Sequence, residues 1–380
     1  MSELTLGVVA TSRKEHESRL AIHPRHLDRI DADLRSRTFL ERGYGLRHGY
    51  GDDELETKVG GLRSREELIA ECDIVVLPKP LHEDVAALRS GQVLWGWPHC
   101  VQDTGLTQLA IDQRLTMIAW EAMNHWTRDG AFSLHVFHKN NELAGYCSVL
   151  HAMQLRGTSG YYGLRLRAAV ISFGATARGA VAALLALGVH DVTVLTQRSV
   201  AAVASPMPPA HLVHYDRDDA DPARRPELTH PERGSLAEYL ARHDIIVNCI
   251  LQDTDDPQMF VTNEDLGLFQ RGSVVVDVSC DEGMGFEWAR PTSFAEPIFT
   301  VGPGVHYYAV DHSPSYLWNS ATWEISDAMI PHMRAVMSGS DGWEASETIR
   351  RAVEIRDGVV QNPRILSFQN REAEYPHRQG

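Results

Sequence analysis

The 380-residue chain is short of the features that announce several protein classes. Cysteine numbers only five (Cys72, Cys100, Cys147, Cys249 and Cys280). They are scattered, with no C-x-x-C and no metal-ligand spacing, which argues against a disulfide framework and for free thiols in a reducing compartment. The 19 histidines form no H-E-x-x-H pattern, so no metal centre is expected. No apolar run reaches the ~18 residues of a membrane span. Residues 1–15 are polar and acidic where a signal peptide would be apolar, and a cytoplasmic protein is expected. Positive charge is scarce too. Lys and Arg number 36 against 51 Asp and Glu, a formal net charge of −15. That balance argues against nucleic acid or an anionic membrane as partner, while leaving small anionic substrates in local pockets open. No internal repeat of fixed period is visible.

What remains is the composition of a globular protein, 43% apolar and 23% charged, long enough for two domains. Its most informative stretch is residues 168–198. Residues 169–173 form an apolar run suited to a buried parallel strand. The turn Gly174-Ala175-Thr176-Ala177-Arg178-Gly179 follows. Residues 177–187 are rich in Ala and Leu and suit a helix, which Gly188 would stop. Residues 192–195 form the next strand. This strand–turn–helix–strand unit presents free N–H groups at a helix N-terminus, where a pyrophosphate can rest. Against the G-x-G-x-x-G/A fingerprint, Gly174 and Gly179 take the outer places and Thr176 stands at the middle one. The Thr176 side chain would then crowd an approaching pyrophosphate, and Gly179 would let helix and strand pack closely. A plain packing turn in a nucleotide-free α/β domain is the alternative. The second strand ends in Thr196-Gln197-Arg198-Ser199, without the acid that binds the ribose of NAD. Arg198 and Ser199 suit a 2′-phosphate, so NADP(H) is favoured and NAD(H) is left open.

Strands and helices alternate along the whole chain, which predicts an α/β protein. Strands are expected at 4–10, 37–41, 73–77, 92–97 and 115–120. Helices are expected at 24–30 and 64–71, the latter capped by Ser64. A long helix at 140–156 leads into a second domain over 140–315. Its further strands are expected at 243–250, 273–278 and 298–301, with helices at 235–242 and 263–269. The proline-rich stretch 203–233 reads as surface elaboration. A helix at 323–337 returns to the first domain, which comprises 1–139 plus 316–380. Three successive first-domain strands end on ionisable residues: Lys79, His99 and Glu121. Ligands of open parallel sheets bind beyond the strands' carboxyl ends, so the three are expected to converge.

Lys79 stands between Pro78 and Pro80, which hold it rigidly as a proton donor or acceptor. Taken singly, Lys79 reads as a surface lysine and His99 as a structural histidine; their shared position lifts them as a set. Arg19 and Lys14 lie in the charged loop after the first strand, where a guanidinium can grip a carboxylate in a bidentate fork. Asp311 and His312 precede Pro314 in an unusual run that can cap a helix or close over a nicotinamide. Cys249 reads as a buried strand residue rather than a nucleophile, since nothing nearby would lower its pKa.

The chain resembles the alanine dehydrogenase, transhydrogenase and saccharopine dehydrogenase group. It is most similar to the branch holding lysine-forming saccharopine dehydrogenase and N5-(carboxyethyl)ornithine synthase. The resemblance rests on Arg13-Lys14-Glu15-His-Glu17-Ser-Arg19, Pro78-Lys79, Pro98-His99-Cys100, Trp120-Glu121 and Asn141-Glu142-Leu-Ala144-Gly145. In the second half it rests on residues 174–179, Val247-Asn248-Cys249-Ile250, Val275-Val-Asp277-Val278-Ser279 and Asp311-His312-Ser-Pro314-Ser315. By that resemblance Lys79 and His99 match an acid–base pair, Arg19 a substrate-carboxylate arginine, Lys14 and Glu17 positions near the substrate, and Glu121 a supporting carboxylate. The fold implied is two Rossmann-like domains with parallel sheets and an interdomain cleft, and the cofactor set implied is residues 174–179, Arg198, Ser199, Cys249, Ile250, Val278, Ser279, Asp311 and His312. Two departures stand out: Pro80 replaces the acid that follows the lysine in the saccharopine enzyme, and a proline-rich segment follows Arg198.

The activity implied is an NAD(P)H-dependent, opine-type reductive condensation of pyruvate or 2-oxoglutarate with the amine of an ornithine- or lysine-like amino acid, or its reverse. A simple alanine-type dehydrogenase using ammonia is the alternative. A catalytically inactive NADP(H)-binding sensor is a third. Small-molecule substrates are the expected partners, and a homo-oligomer is compatible with the sequence.

Overall fold

The structure is a computed structural model describing residues 3–198, 210–217, 225–253 and 256–380. Its strands, in chain order, are β1 (Leu6–Val8), β2 (Thr38–Glu41), β3 (Gly61–Arg63), β4 (Ile74–Leu77), β5 (Val93–Gly96), β6 (Thr116–Ala119), β7 (Asn124–Trp126) and β8 (Phe132–His135). Then come β9 (Arg167–Ile171), β10 (Asp191–Thr196), β11 (His211–Asp216), β12 (Glu227–His230), β13 (Gly234–Ser235), β14 (Ile245–Asn248), β15 (Met259–Val261), β16 (Val274–Asp277), β17 (Gly285–Phe286), β18 (Ile298–Val301) and β19 (Val305–Tyr308). The last two are β20 (Val353–Arg356) and β21 (Val359–Val360). The chain divides into two compact units, Met1–His138 with Trp318–Gly380, and Lys139–Leu317.

In the first unit the described strands form an eight-stranded sheet in the order β21-β20-β6-β5-β4-β1-β2-β3. The strands from β6 to β3 run parallel, and β20 and β21 close that edge antiparallel. Apolar residues alternate between the faces: Ile74 and Val76 join one cluster, Val75 and Leu77 the other. Such a sheet must be covered on both sides. Ile325 and Met329 of the helix Trp318–Met329 and Val336 of Met333–Met337 cover one face. Leu106, Ala110 and Ile111 of Thr104–Asp112 cover the other. The returning helix starts at Trp318, earlier than the sequence suggests. It breaks into a 3-10 turn at Ile330–His332, because Pro331 offers no N–H to continue the ladder. Ser64 caps the helix Arg65–Glu71 through a capping box with Glu67.

In the second unit the order is β13-β12-β11-β10-β9-β14-β16-β19-β18, parallel from β11 through β19 and antiparallel at β12, β13 and β18. Ala168 and Val170 face one cluster, Ala169 and Ile171 the other. The proline-rich stretch expected to be surface elaboration instead supplies β11 and β12, its described parts, as sheet strands. Buried Val213, Tyr215 and Leu228 anchor them. Within this unit the helix His138–Leu155 crosses the helix Ala175–Ala186 at two glycines. A Cβ on Gly145 would stand 1.9 Å from the Thr176 carbonyl oxygen, and one on Gly179 would stand 1.7 Å from that of Glu142. Gly179 therefore serves helix–helix contact, not the helix–strand packing its place in the motif suggests.

Candidate active site

Hydrogen-bond register brings the ends of β4, β5 and β6 level, with Leu77 opposite Gly96 and Gly96 opposite Ala119. Lys79, His99 and Glu121 leave the sheet there together. Lys79 Nζ lies 2.9 Å from His99 Nε2. The His99 backbone N–H donates to Glu121 Oε1 at 2.6 Å, and His99 Nδ1 is 3.9 Å from the same oxygen. His99 has φ of 50°, the left-handed region that non-glycine residues seldom occupy, and the Glu121 carboxyl grips it there. Part of the Glu121 side chain is exposed, but Oε2 is enclosed and lacks a hydrogen-bond partner. Burial, with the charge of Glu354 added, pushes its carboxyl up to about 8.

The loop after β1 is tied to the same edge. Ser12 Oγ donates to the Lys79 carbonyl at 3.0 Å and accepts from the Lys14 N–H at 3.1 Å. Arg19 packs over the Trp97 ring at 5.0 Å, two residues before His99. Its Nε donates to Glu17 Oε1 at 2.9 Å and a terminal nitrogen to Oε2 at 2.5 Å, both side chains being buried. The fork that the sequence assigns to a substrate carboxylate is thus engaged by Glu17. Behind this edge Trp97, Trp120 and Phe137 interlock.

In the second unit the ends of β9, β10, β14 and β16 are likewise level, Ile171 lying opposite Leu195 and Asn248, and Asn248 opposite Asp277. The turn after β9 corrects the reading of the fingerprint. Ser172 has φ of 96°, the tight-turn place that glycine normally takes. Gly174 is the residue that starts the helix Ala175–Ala186, and a Cβ there would meet only Ser172 Oγ, at 3.8 Å. The turn is therefore Ser172-x-Gly174-x-x-Ala177, with Gly174 at the open middle position of the motif and buried Ala177 as the small third residue. Thr176 falls inside the helix and does not occupy the middle-glycine place. Arg178 lies over the Phe173 ring at 4.8 Å.

The other expected cofactor residues share this edge or follow it in the chain. Arg198 follows β10 and is exposed; Ser199 lies outside the described residues. Cys249 is buried, which pushes its thiol well up and fits no nucleophile. Ser279 Oγ donates to the Ile250 carbonyl at 2.5 Å, linking the loops after β14 and β16, with Val278 between β16 and that contact. Asp277 accepts from Tyr307 Oη at 2.7 Å and from Asn248 Nδ2 at 3.0 Å. Asp311 Oδ1 lies 2.7 Å from Nδ1 of buried His312. Sequence reasoning passed over Asp281 in the loop after β16. Burial, then the charge of Asp277, pushes its carboxyl up to about 6, an effect no local pattern announces. It also missed Ser12 and Ser172, whose roles are a loop tie and a backbone angle. Among the described residues no cluster of histidine, cysteine and acids fits a metal ion, and no helix is long and apolar enough to cross a membrane.

One unit pairs a parallel sheet with a Rossmann-type turn, and the other carries a lysine–histidine pair at its sheet edge. Residues 7–144 match the family model for the alanine dehydrogenase/PNT N-terminal domain and residues 144–363 that for the alanine dehydrogenase/PNT C-terminal domain. The chain belongs to the alanine dehydrogenase/PNT family and is an NAD(P)-dependent oxidoreductase. It is 24% identical over 378 residues to the alanine dehydrogenase of Mycobacterium tuberculosis, covering 94% of this chain and 95% of that protein. It is equally 24% identical over 330 residues to the N(5)-(carboxyethyl)ornithine synthase of Clostridium botulinum, covering 84% and 90%. Among solved structures it is similar to an L-alanine dehydrogenase (TM-score 0.74, 18% identity, 96% of this chain and 99% of that chain). It is also similar to the transhydrogenase from Sinorhizobium meliloti (TM-score 0.68, 20% identity, 94% and 99%).

Proposed function

We propose that this oxidoreductase joins a 2-oxo acid, pyruvate or 2-oxoglutarate, to the side-chain amine of an ornithine- or lysine-like amino acid, using NADPH. The observation that carries this reading is the 2.9 Å approach of Lys79 Nζ to His99 Nε2, backed by Glu121. Forming a carbon–nitrogen bond at a carbonyl requires one proton to leave the attacking nitrogen and another to reach the departing oxygen, and two nitrogen bases in direct contact can exchange both.

The residues divide the work as follows. The amine attacks the oxo carbon; Lys79 takes a proton from nitrogen while protonated His99 gives one to the oxygen, forming the carbinolamine. Lys79 passes its proton across the contact to His99, which gives it to the hydroxyl; water leaves and the nitrogen lone pair closes the protonated imine. Arg19 attracts the oxo-acid carboxylate while sharing its guanidinium with Glu17, so the substrate is held through one point of that group rather than its fork. Lys14 and Glu17 flank the amino-acid end. When bound, the dinucleotide supplies the hydride that reduces the imine carbon. Gly174 with residues 175–178 would cradle the pyrophosphate, Cys249, Ile250, Val278, Ser279, Asp311 and His312 would line the nicotinamide end, and Arg198 would meet a 2′-phosphate. The open space ahead of Gly174 is the feature that fits such a group.

The equal identity to an alanine dehydrogenase favours a second reading, in which ammonia replaces the amino-acid amine. One experiment separates them: 2-oxo acids paired with basic amino acids or with ammonium, following NADPH absorbance. Oxidation that requires the basic amino acid supports condensation. Oxidation with pyruvate and ammonium alone replaces it with the alanine-type reaction. Tight NADPH binding without turnover in any pairing leaves an inactive sensor.

A further inference from the structure

Behind Glu121 lies a second buried acid that the mechanism above does not use. Glu354 sits on β20, 4% exposed. The pairing of β20 with β6 shifts register between Val353 and Ile355, so Glu354 is the extra residue of a β-bulge. The effect is visible in the packing. Residues two apart on a regular strand share a face, yet Val353 joins one apolar cluster and Ile355 the other. Bulges re-aim a side chain and recur beside active sites. Here the strand end is clamped, because the Glu354 carbonyl accepts from the N–H groups of Gln361 (2.8 Å) and Asn362 (3.2 Å). Asn362 Nδ2 donates to Glu354 Oε1 at 2.9 Å. Glu354 Oε2 is buried without a hydrogen-bond partner, as is Glu121 Oε2.

We propose that Glu354 is a positioning residue for the Lys79–His99 pair: its bulge-aimed carboxyl decides which of the two buried acids carries a proton, and thereby the charge that His99 meets. The proposal rests on the oxidoreductase reading given above. The groups around Glu121 can be named. Lys79 and His99 face it from the ends of β4 and β5, Glu354 from β20, and Cys100 from the loop after β5. Cys100 stays a neutral thiol, raised by burial and by the acids around it, Glu354, Glu121 and Asp103. His135 on β8 lies behind the Trp120 carbonyl, lowered to about 4 by burial, and is neutral. Of these groups, Lys79, His99 and the two carboxyls are the charged ones. Burial raises both acids, and the charge of Glu354 raises Glu121 further, so each holds its proton to higher pH than an exposed carboxyl. The Asn362 donor favours the anion on Glu354 and leaves the proton with Glu121. Removing Glu354 takes away the charge that adds to burial in holding the proton on Glu121, and so favours the Glu121 anion, whose Oε1 is 3.9 Å from His99 Nδ1.

The test is the titration of His99 by NMR in protein carrying 13C-labelled histidine, its resonance identified by its loss in His99→Gln. The Glu354→Gln variant is expected to raise the His99 midpoint by about 1 pH unit, and the Glu121→Gln/Glu354→Gln double variant to abolish that rise. Asn362→Ser keeps a helix cap, removes the amide donor, and is expected to move the midpoint in the same direction; it also serves if Glu354→Gln does not fold. A His99 midpoint in either variant that coincides with that of the unaltered protein overturns the proposal. The measurement needs no substrate. Absence of turnover with every oxo-acid and amine pair overturns the catalytic reading alone, while an unmoved midpoint in an active enzyme overturns this one alone.

Discussion

Glu17 holds Arg19 through both carboxylate oxygens, with the two side chains only 0% and 3% exposed. Arg19→Ala leaves the Glu17 carboxylate buried without its guanidinium, which costs roughly 3–5 kcal/mol of stability. A raised KM in that variant alone is ambiguous. The Arg19→Met/Glu17→Leu double variant is expected to recover most of the stability in urea unfolding and still show a raised KM for the oxo acid. A double variant with unaltered KM would move the carboxylate site elsewhere.

Lys79→Met and His99→Gln are each expected to lower turnover by roughly 10²-fold or more, with NADPH affinity by fluorescence titration near that of the unaltered protein. Turnover unchanged in both variants would remove the pair from the mechanism.

Ser172 is held at φ of 96°. A non-glycine residue in such a region costs of order 1–3 kcal/mol, from which the extra chain entropy of glycine, about 0.5–1 kcal/mol, must be subtracted. Ser172→Gly is therefore expected to raise the melting temperature, whereas Ser172→Ala is not. Equal melting temperatures for all three proteins would show that the turn is unstrained.

Burial, with mutual repulsion added, raises Glu121 to about 8, and burial raises Glu354 to about 7. An unfolded carboxyl releases its proton near pH 4.5, so between that point and these raised values the native state binds more protons than the unfolded one. Stability must then fall as pH rises through this window. The expected result is a melting temperature that declines from pH 6 to pH 8.5, with a shallower decline in Glu354→Gln. Parallel pH profiles for the two proteins would show that Glu354 does not titrate in the folded state over this range.

Arg198→Ala is expected to weaken NADPH roughly tenfold or more, the loss of a charge-assisted hydrogen bond, with NADH little affected in parallel titrations. Equal losses for both dinucleotides would discard a 2′-phosphate contact.

The convergence of Lys79, His99 and Glu121 was legible because parallel strands align their ends: DIVVL, the run before Pro98 and the run before Trp120 each marked where an ionisable side chain would emerge. The α/β class and the βαβ unit were legible for the same reason. The glycine fingerprint was misplaced because Ser172 occupies a backbone angle that spacing alone assigns to glycine. Strands β11 and β12 were hidden by neighbouring prolines, since local composition does not reveal a partner such as β10. Glu354 was invisible, because it reaches Glu121 through a bulge and strand pairing across more than 200 positions of chain. Buried carboxyls of this kind depend on enclosure, which only the folded chain supplies.

The crossing of Gly145 and Gly179 leaves no room for even one methyl group between two helical backbones. Helices so close cannot slide independently. The segment by which the chain enters this unit and the helix that begins at Gly174 must tilt as one rigid piece. Any displacement of His138–Leu155 therefore re-aims the amide groups at the start of Ala175–Ala186, and under the proposed cofactor site an alanine at either glycine would act on cofactor affinity from a distance, by altering direction instead of contact.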